Sequence, residues 1–182
     1  MTRLLIFAVA SVYFVTLSRR SLFRPHTHGF YRFFAFEAIA ALVLLNYPRW
    51  FNHPFAIRQI FSWTLLLISI WLVLHGTYLL RVVGKPSRER SDDTLLPFEK
   101  TSSLVTTGIY GYIRHPMYAS LLFLAWGAFL KHLSWPGLAL VLLASLSLYA
   151  GARREETECL QHFGDAYREY MTKTKRFIPF LF

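Results

Sequence analysis

Two short clusters hold the side chains best suited to chemistry: Arg114-His115-Pro116 and Glu155-Glu156. Pro116 stands directly before an apolar stretch of helical pattern. Proline is pre-set for the first position of a helix, where its missing N–H costs nothing. The unpaired N–H groups of that helix start, beside an arginine and a histidine, suit an anionic group. Glu155 and Glu156 suit a cation, and carboxylates this close to apolar sequence need a partner. Basic groups at one end and carboxylates at the other would hold a zwitterion, such as an amino-acid headgroup. Arg114 and Glu156 are the candidate catalytic pair. His115 and Glu156 are the groups able to take a proton from an acceptor.

The elements that must position these groups are apolar. The chain has 182 residues, of which 54% are hydrophobic. They gather in five blocks, Leu4–Leu17, Phe33–Tyr47, Ile60–Val83, Met117–Leu130 and Pro136–Ala150, in longer runs than a soluble domain needs. Each span must satisfy its own backbone hydrogen bonds, so an all-α integral membrane bundle of about five transmembrane helices is expected. Several blocks fall short of the roughly 20 residues that cross the hydrocarbon, so Tyr31, Trp50, Trp63 and Trp135 are expected to anchor at the interfaces. The first block has a signal-like start without a small-residue cleavage site and reads as a retained span. The whole, 1–182, reads as one membrane domain, with three N-terminal spans over 1–83 and the functional core over 84–182.

With five spans, sixteen of the twenty Lys and Arg residues fall on the side of loops 18–32 and 81–116 and of the tail 151–182. That asymmetry puts the N-terminus outside and the C-terminus in the cytoplasm. The basic residues flank apolar blocks instead of forming one face, which points to anionic lipids and away from nucleic acid. A single cysteine, Cys159, excludes an internal disulfide. Residues 85–93 read as a solvated connector. From Ala152 to Lys173 the pattern is an amphipathic helix broken at Gly164, lying at the cytoplasmic face. Glu155 and Glu156 would begin it. Glu37 is an acid placed near the cytoplasmic end of the second span. His75, in the third, reads as a hydrogen bonder between helices. His26 and His28 have no metal-ligand spacing, and no metal site is expected.

The ordered set Gly108, Tyr110, Arg114, His115, Pro116 and Tyr118, then Glu155-Glu156, then Phe163-Gly164, Tyr167, Tyr170 and Ile178-Pro179 resembles the isoprenylcysteine carboxyl methyltransferase and phospholipid methyltransferase families. The resemblance covers about residues 100–182. It implies a membrane-embedded helical fold with a cytoplasmic cleft for S-adenosylmethionine. It also implies that Leu104, Val105, Tyr110, His115, Pro116, Met117 and Tyr118 line that cofactor and that Glu155 holds its amino group. The isoprenylcysteine branch carries a substrate arginine four residues before this glutamate, where this chain has Gly151. The expected acceptor is therefore a small hydrophobic or lipid-like molecule bearing a carboxylate, thiol or amine. The site of action is a bacterial inner membrane or an equivalent bilayer. The alternative is a non-catalytic membrane protein on the same fold, binding a small ligand or acting in assembly.

Overall fold

The computed structural model describes residues 1–84 and 101–181. Six α-helices make up the described chain: α1 Thr2–Leu22, α2 His28–Asn46, α3 Ile57–Val82, α4 Pro116–Lys131, α5 Trp135–Phe163 and α6 Asp165–Lys173. Short 3-10 turns stand at Tyr47–Arg49 and Gly108–Gly111. The connector expected at 85–93 lies outside the described residues. The all-helical membrane bundle is as expected, with α3 packed on α4, α2 on α5 and α1 on α2.

Four helices, α1, α2, α3 and α5, are long and apolar enough to cross a membrane. The fourth apolar block is different. At 16 residues α4 is about 24 Å long, short of the roughly 30 Å of hydrocarbon. A helix that ends inside a bundle must have its last carbonyls met. Side chains from α2 and α3 meet them. Ser62 donates to the Gly127 carbonyl at 2.7 Å, Asn46 Nδ2 to Ala128 at 2.8 Å, Arg58 to Leu130 at 2.6 Å and Gln59 Nε2 to Lys131 at 3.2 Å. The Lys131 ammonium lies over Trp63, 3.3 Å from the ring centroid, and bonds to Gln59 Oε1 at 3.2 Å. Two of the expected interface aromatics, Trp50 and Trp63, thus face a buried lysine.

The tail departs from expectation. The fifth span and the first half of the tail are one helix of 29 residues, α5. Loss of hydrophobicity after Ala150 does not interrupt a helix, because neither Gly151 nor the Arg pair after it breaks the hydrogen-bond ladder. The interruption falls at Gly164, as the pattern indicated, where φ is +58°. At 1.5 Å per residue α5 measures about 43 Å, more than the roughly 30 Å of hydrocarbon, so its last turns project past a spanning length. Glu155 and Glu156 therefore sit within α5, not at a helix N-terminus.

Glu37 sits at mid-helix in α2, deeper than expected, because α2 starts at His28. It accepts a hydrogen bond from Ser11 Oγ at 2.7 Å, joining α1 to α2. Beside it Phe14 and Phe36 pack with ring centroids 5.3 Å apart.

Candidate functional site

The site forms where the chain returns on itself. Residues 112–115 run parallel to the last segment of the tail, with a bridge between Ile113 and Lys175. The Arg114 N–H donates to the Lys175 carbonyl at 2.8 Å, and the His115 N–H to Arg176 at 3.1 Å. Pro116 begins α4 as expected, with His115 at the cap position. His115 and Arg114 are thereby fixed between α4 and the tail, facing the projecting turns of α5.

Glu156 binds this junction together. It is 5% exposed. Its Oε1 accepts from Arg114 Nε at 2.9 Å and from Arg176 Nε at 3.1 Å, and its Oε2 from Arg176 Nη2 at 2.8 Å. His115 Nε2 stands 3.4 Å from Oε1. Arg114 also donates to the carbonyls of Met171 and Thr174. Burial alone would raise the Glu156 pKa; the approach of His115, Arg176 and Arg114 outweighs it and holds the carboxyl well below its ordinary range. The same contact with Glu156 raises the pKa of Arg176.

In front of this junction lies a cleft that opens to solvent. Leu104, Val105, Tyr110, Arg114, His115, Pro116, Met117, Tyr118 and Glu155 all line it. Glu156 does not line it and stands behind its wall. Glu155 keeps 25% of its side chain exposed, and its Oε1 lies 3.7 Å from His115 Nδ1. The imidazole thus sits between the two glutamates, with its ring edge against Tyr118 at 5.5 Å.

Other lining residues carried no mark in the sequence: Leu80, Thr101, Glu158 and Cys159. Glu158 and Cys159 follow Glu155 by three and four positions, the spacing of one helix face, so continuity of α5 would have revealed them. Phe163, Tyr167 and Tyr170, named in the family pattern, also line the cleft. Burial, first of all, raises the pKa of both tyrosines and keeps them neutral phenols; the Tyr170 hydroxyl donates to the Tyr110 carbonyl at 2.6 Å. Glu158 accepts from the His28 N–H at 3.1 Å and meets His28 Nδ1 at 2.5 Å, tying the start of α2 to the cleft.

Gly151 allows that approach. A Cβ placed there would meet Tyr118 Cε1 at 3.0 Å, Tyr31 Cβ at 3.5 Å and the His28 carbonyl at 3.6 Å. Tyr118, Tyr31 and the start of α2 occupy the space that a side chain at 151 would need.

The phospholipid methyltransferase family model matches residues 57–166, more than half of the chain, which takes in α3, α4 and α5 and the first two residues of α6. The chain belongs to the phospholipid methyltransferase family. The match starts with α3 and leaves α1 and α2 outside it. The chain is also 26% identical over 121 residues to a methanethiol S-methyltransferase of Pseudomonas deceptionensis. That alignment covers 66% of this chain and 43% of the relative's length. No solved structure gives a significant match.

Proposed function

We propose that the chain is a membrane-integral methyltransferase that moves a methyl group from S-adenosylmethionine to a small hydrophobic acceptor. The observation that carries this reading is the cleft at the projecting end of α5. It places a histidine, an arginine and a partly exposed glutamate beside an apolar and aromatic wall. That donor set fits the cofactor. Glu155, with Glu158 on the same face, receives the ammonium. Arg114 receives the carboxylate, and Leu104, Val105, Tyr110, His115, Pro116, Met117 and Tyr118 pack on the remainder. When bound, the cofactor supplies an activated methyl group and leaves as a neutral thioether.

The chain's own residues then hold the acceptor in line with that methyl and exclude water. A thiol or amine acceptor must also lose a proton. His115 is placed to take it, because its Nδ1 faces the cleft beside Glu155. Glu156, held ionised by two guanidiniums, is a poor base and serves to position Arg114 and His115. Arg114 contributes to the reaction through the charge it lends the cleft.

The name of the relative favours a thiol as acceptor. The crowding at Gly151 supports a neutral group over a carboxylate, since it leaves no room there for a cationic side chain. The acceptor enters from the bilayer, and the basic cytoplasmic rim rests on anionic lipid headgroups.

The test is binding and turnover on the purified chain in detergent or nanodiscs. S-adenosylmethionine or its demethylated product raises the thermal midpoint of the native protein, as any ligand of the folded state must. Glu155→Ala and His115→Ala abolish that rise while remaining folded. Labelled S-adenosylmethionine then delivers label to an organic-extractable product in membranes containing the protein. Absence of any cofactor-dependent rise in the wild-type chain refutes the reading and favours a non-catalytic protein on this fold.

A further inference from the structure

Nearly every polar side chain of α3 has a purpose in packing. Arg58, Gln59, Ser62 and Ser69 bond to backbone carbonyls of α4, Thr64 bonds within its own helix, and Thr77 Oγ1 reaches Met117 Sδ at 3.6 Å. His75 does not follow this rule. It was expected to hydrogen-bond between helices, yet it forms no hydrogen bond with the described residues. Its half-buried ring lies flat on the exposed Trp71, with centroids 5.3 Å apart and 10° between the planes. An imidazole without a hydrogen-bond partner is costly in hydrocarbon, and an ionisable residue within a span marks a functional site by default.

The position of His75 says what that function is. Its Nε2 lies 3.1 Å from where a Cβ would stand on Gly108, so the ring presses on the turn whose Tyr110 lines the cleft. Gly108 has φ +59°, and a side chain there would strike both Leu79 and His75. The neighbouring Gly76 is equally close to the site: a Cβ on it would lie 3.3 Å from Met117 Sδ and 3.6 Å from Pro116 Cγ. Met117, Pro116 and Leu80 all line the cleft. Residues 75–80 of α3 thus back this side of the cleft, with Leu80 lining it and Gly76 against Met117 and Pro116. His75 stands in this stretch, about 7–8 Å deeper than Leu80.

We propose that His75 and Trp71 form the reception site for the methyl acceptor on the bilayer side of this stretch of α3. The imidazole hydrogen-bonds an uncharged head of the thiol class, and the apolar tail lies against Trp71. This rests on the proposed methyltransferase function for the meaning of the ligand, but its binding test does not depend on turnover.

The probe is an alkyl thiol carrying a photoreactive diazirine, with octanethiol as competitor. Crosslinks map to the segment 71–78 of the wild-type chain and are suppressed by octanethiol. They fall several-fold in His75→Phe, which keeps the flat stack, and return in His75→Gln, which keeps a hydrogen-bonding group. In the transfer assay, His75→Phe raises KM for octanethiol about tenfold, equivalent to about 1.4 kcal/mol, with kcat and the cofactor-induced thermal shift unchanged. Crosslinks absent from 71–78, or undiminished in His75→Phe, overturn the site. Failure of the function itself would show separately, as a wild-type chain that binds no S-adenosylmethionine.

Discussion

Replacing Glu156 by glutamine tests whether one carboxylate organises the site from behind. The substitution keeps shape and removes charge. It leaves Arg114, whose side chain is 9% exposed, and Arg176, 18% exposed, without their common counter-ion. Removing one partner from a buried ion pair costs about 3–5 kcal/mol. The amide oxygen still accepts one hydrogen bond, so the lower end, about 3 kcal/mol, is expected. A domain of this size loses about 2–4 °C of thermal midpoint per kcal/mol, which gives about 6–12 °C. Adding Arg176→Met removes one stranded charge, and the double variant recovers part of the loss. The pH dependence carries the same signature. The folded pKa of Glu156 lies below its ordinary value of 4.5, so its contribution is complete above that value and is lost as the pH falls below it. Glu156→Gln therefore flattens the acid limb of the stability profile. Thermal unfolding in detergent from pH 3 to 7 measures both effects. A midpoint within about 1 °C of wild type at pH 7, with an unchanged acid limb, refutes the ion cluster as the fastening of the site.

Gly151→Ala sets about 1 kcal/mol of gained helix propensity against about 1–3 kcal/mol of crowding where Tyr118 already packs on His115. A small net loss of stability and weaker S-adenosylmethionine binding are expected in a thermal-shift titration; greater stability with unaltered binding would contradict the packing. Asn46→Leu removes the bonds to Ala128 and His132 at the opposite end of α4, which costs about 1–3 kcal/mol. The midpoint drops, while the increment produced by S-adenosylmethionine stays as in the wild type. Single cysteines at the exposed Asn52 and Thr172 in a Cys159→Ser background label from opposite sides of the membrane; labelling from one side rules out the orientation drawn from the basic residues.

The parts of the site that could be read from the chain were those marked by local rules. Pro116 marks where α4 begins, and Gly164 marks where α5 stops. The spacing of Arg114, His115 and Glu155 carried enough of a family pattern to place them together, and the structure brings all three to one cleft. The parts that could not be read depend on what a helix meets, not on its own residues. Hydrophobicity falls after Ala150, which reads as an end of the span. Backbone hydrogen bonds do not sense side-chain polarity, so α5 continued and moved Glu158 and Cys159 onto the cleft face. Nothing local marks Glu158 as the partner of His28, 130 positions away. Nor does anything local mark Arg176 as the second clasp on Glu156. Both contacts arise because α2 and the tail dock on the last turns of α5. Those turns carry the charged groups because only there can buried carboxylates meet guanidinium and imidazole partners from three separate parts of the chain. His75 on α3 stands out in the same way, because most polar side chains of that helix bond to α4 and it forms no hydrogen bond with the described residues.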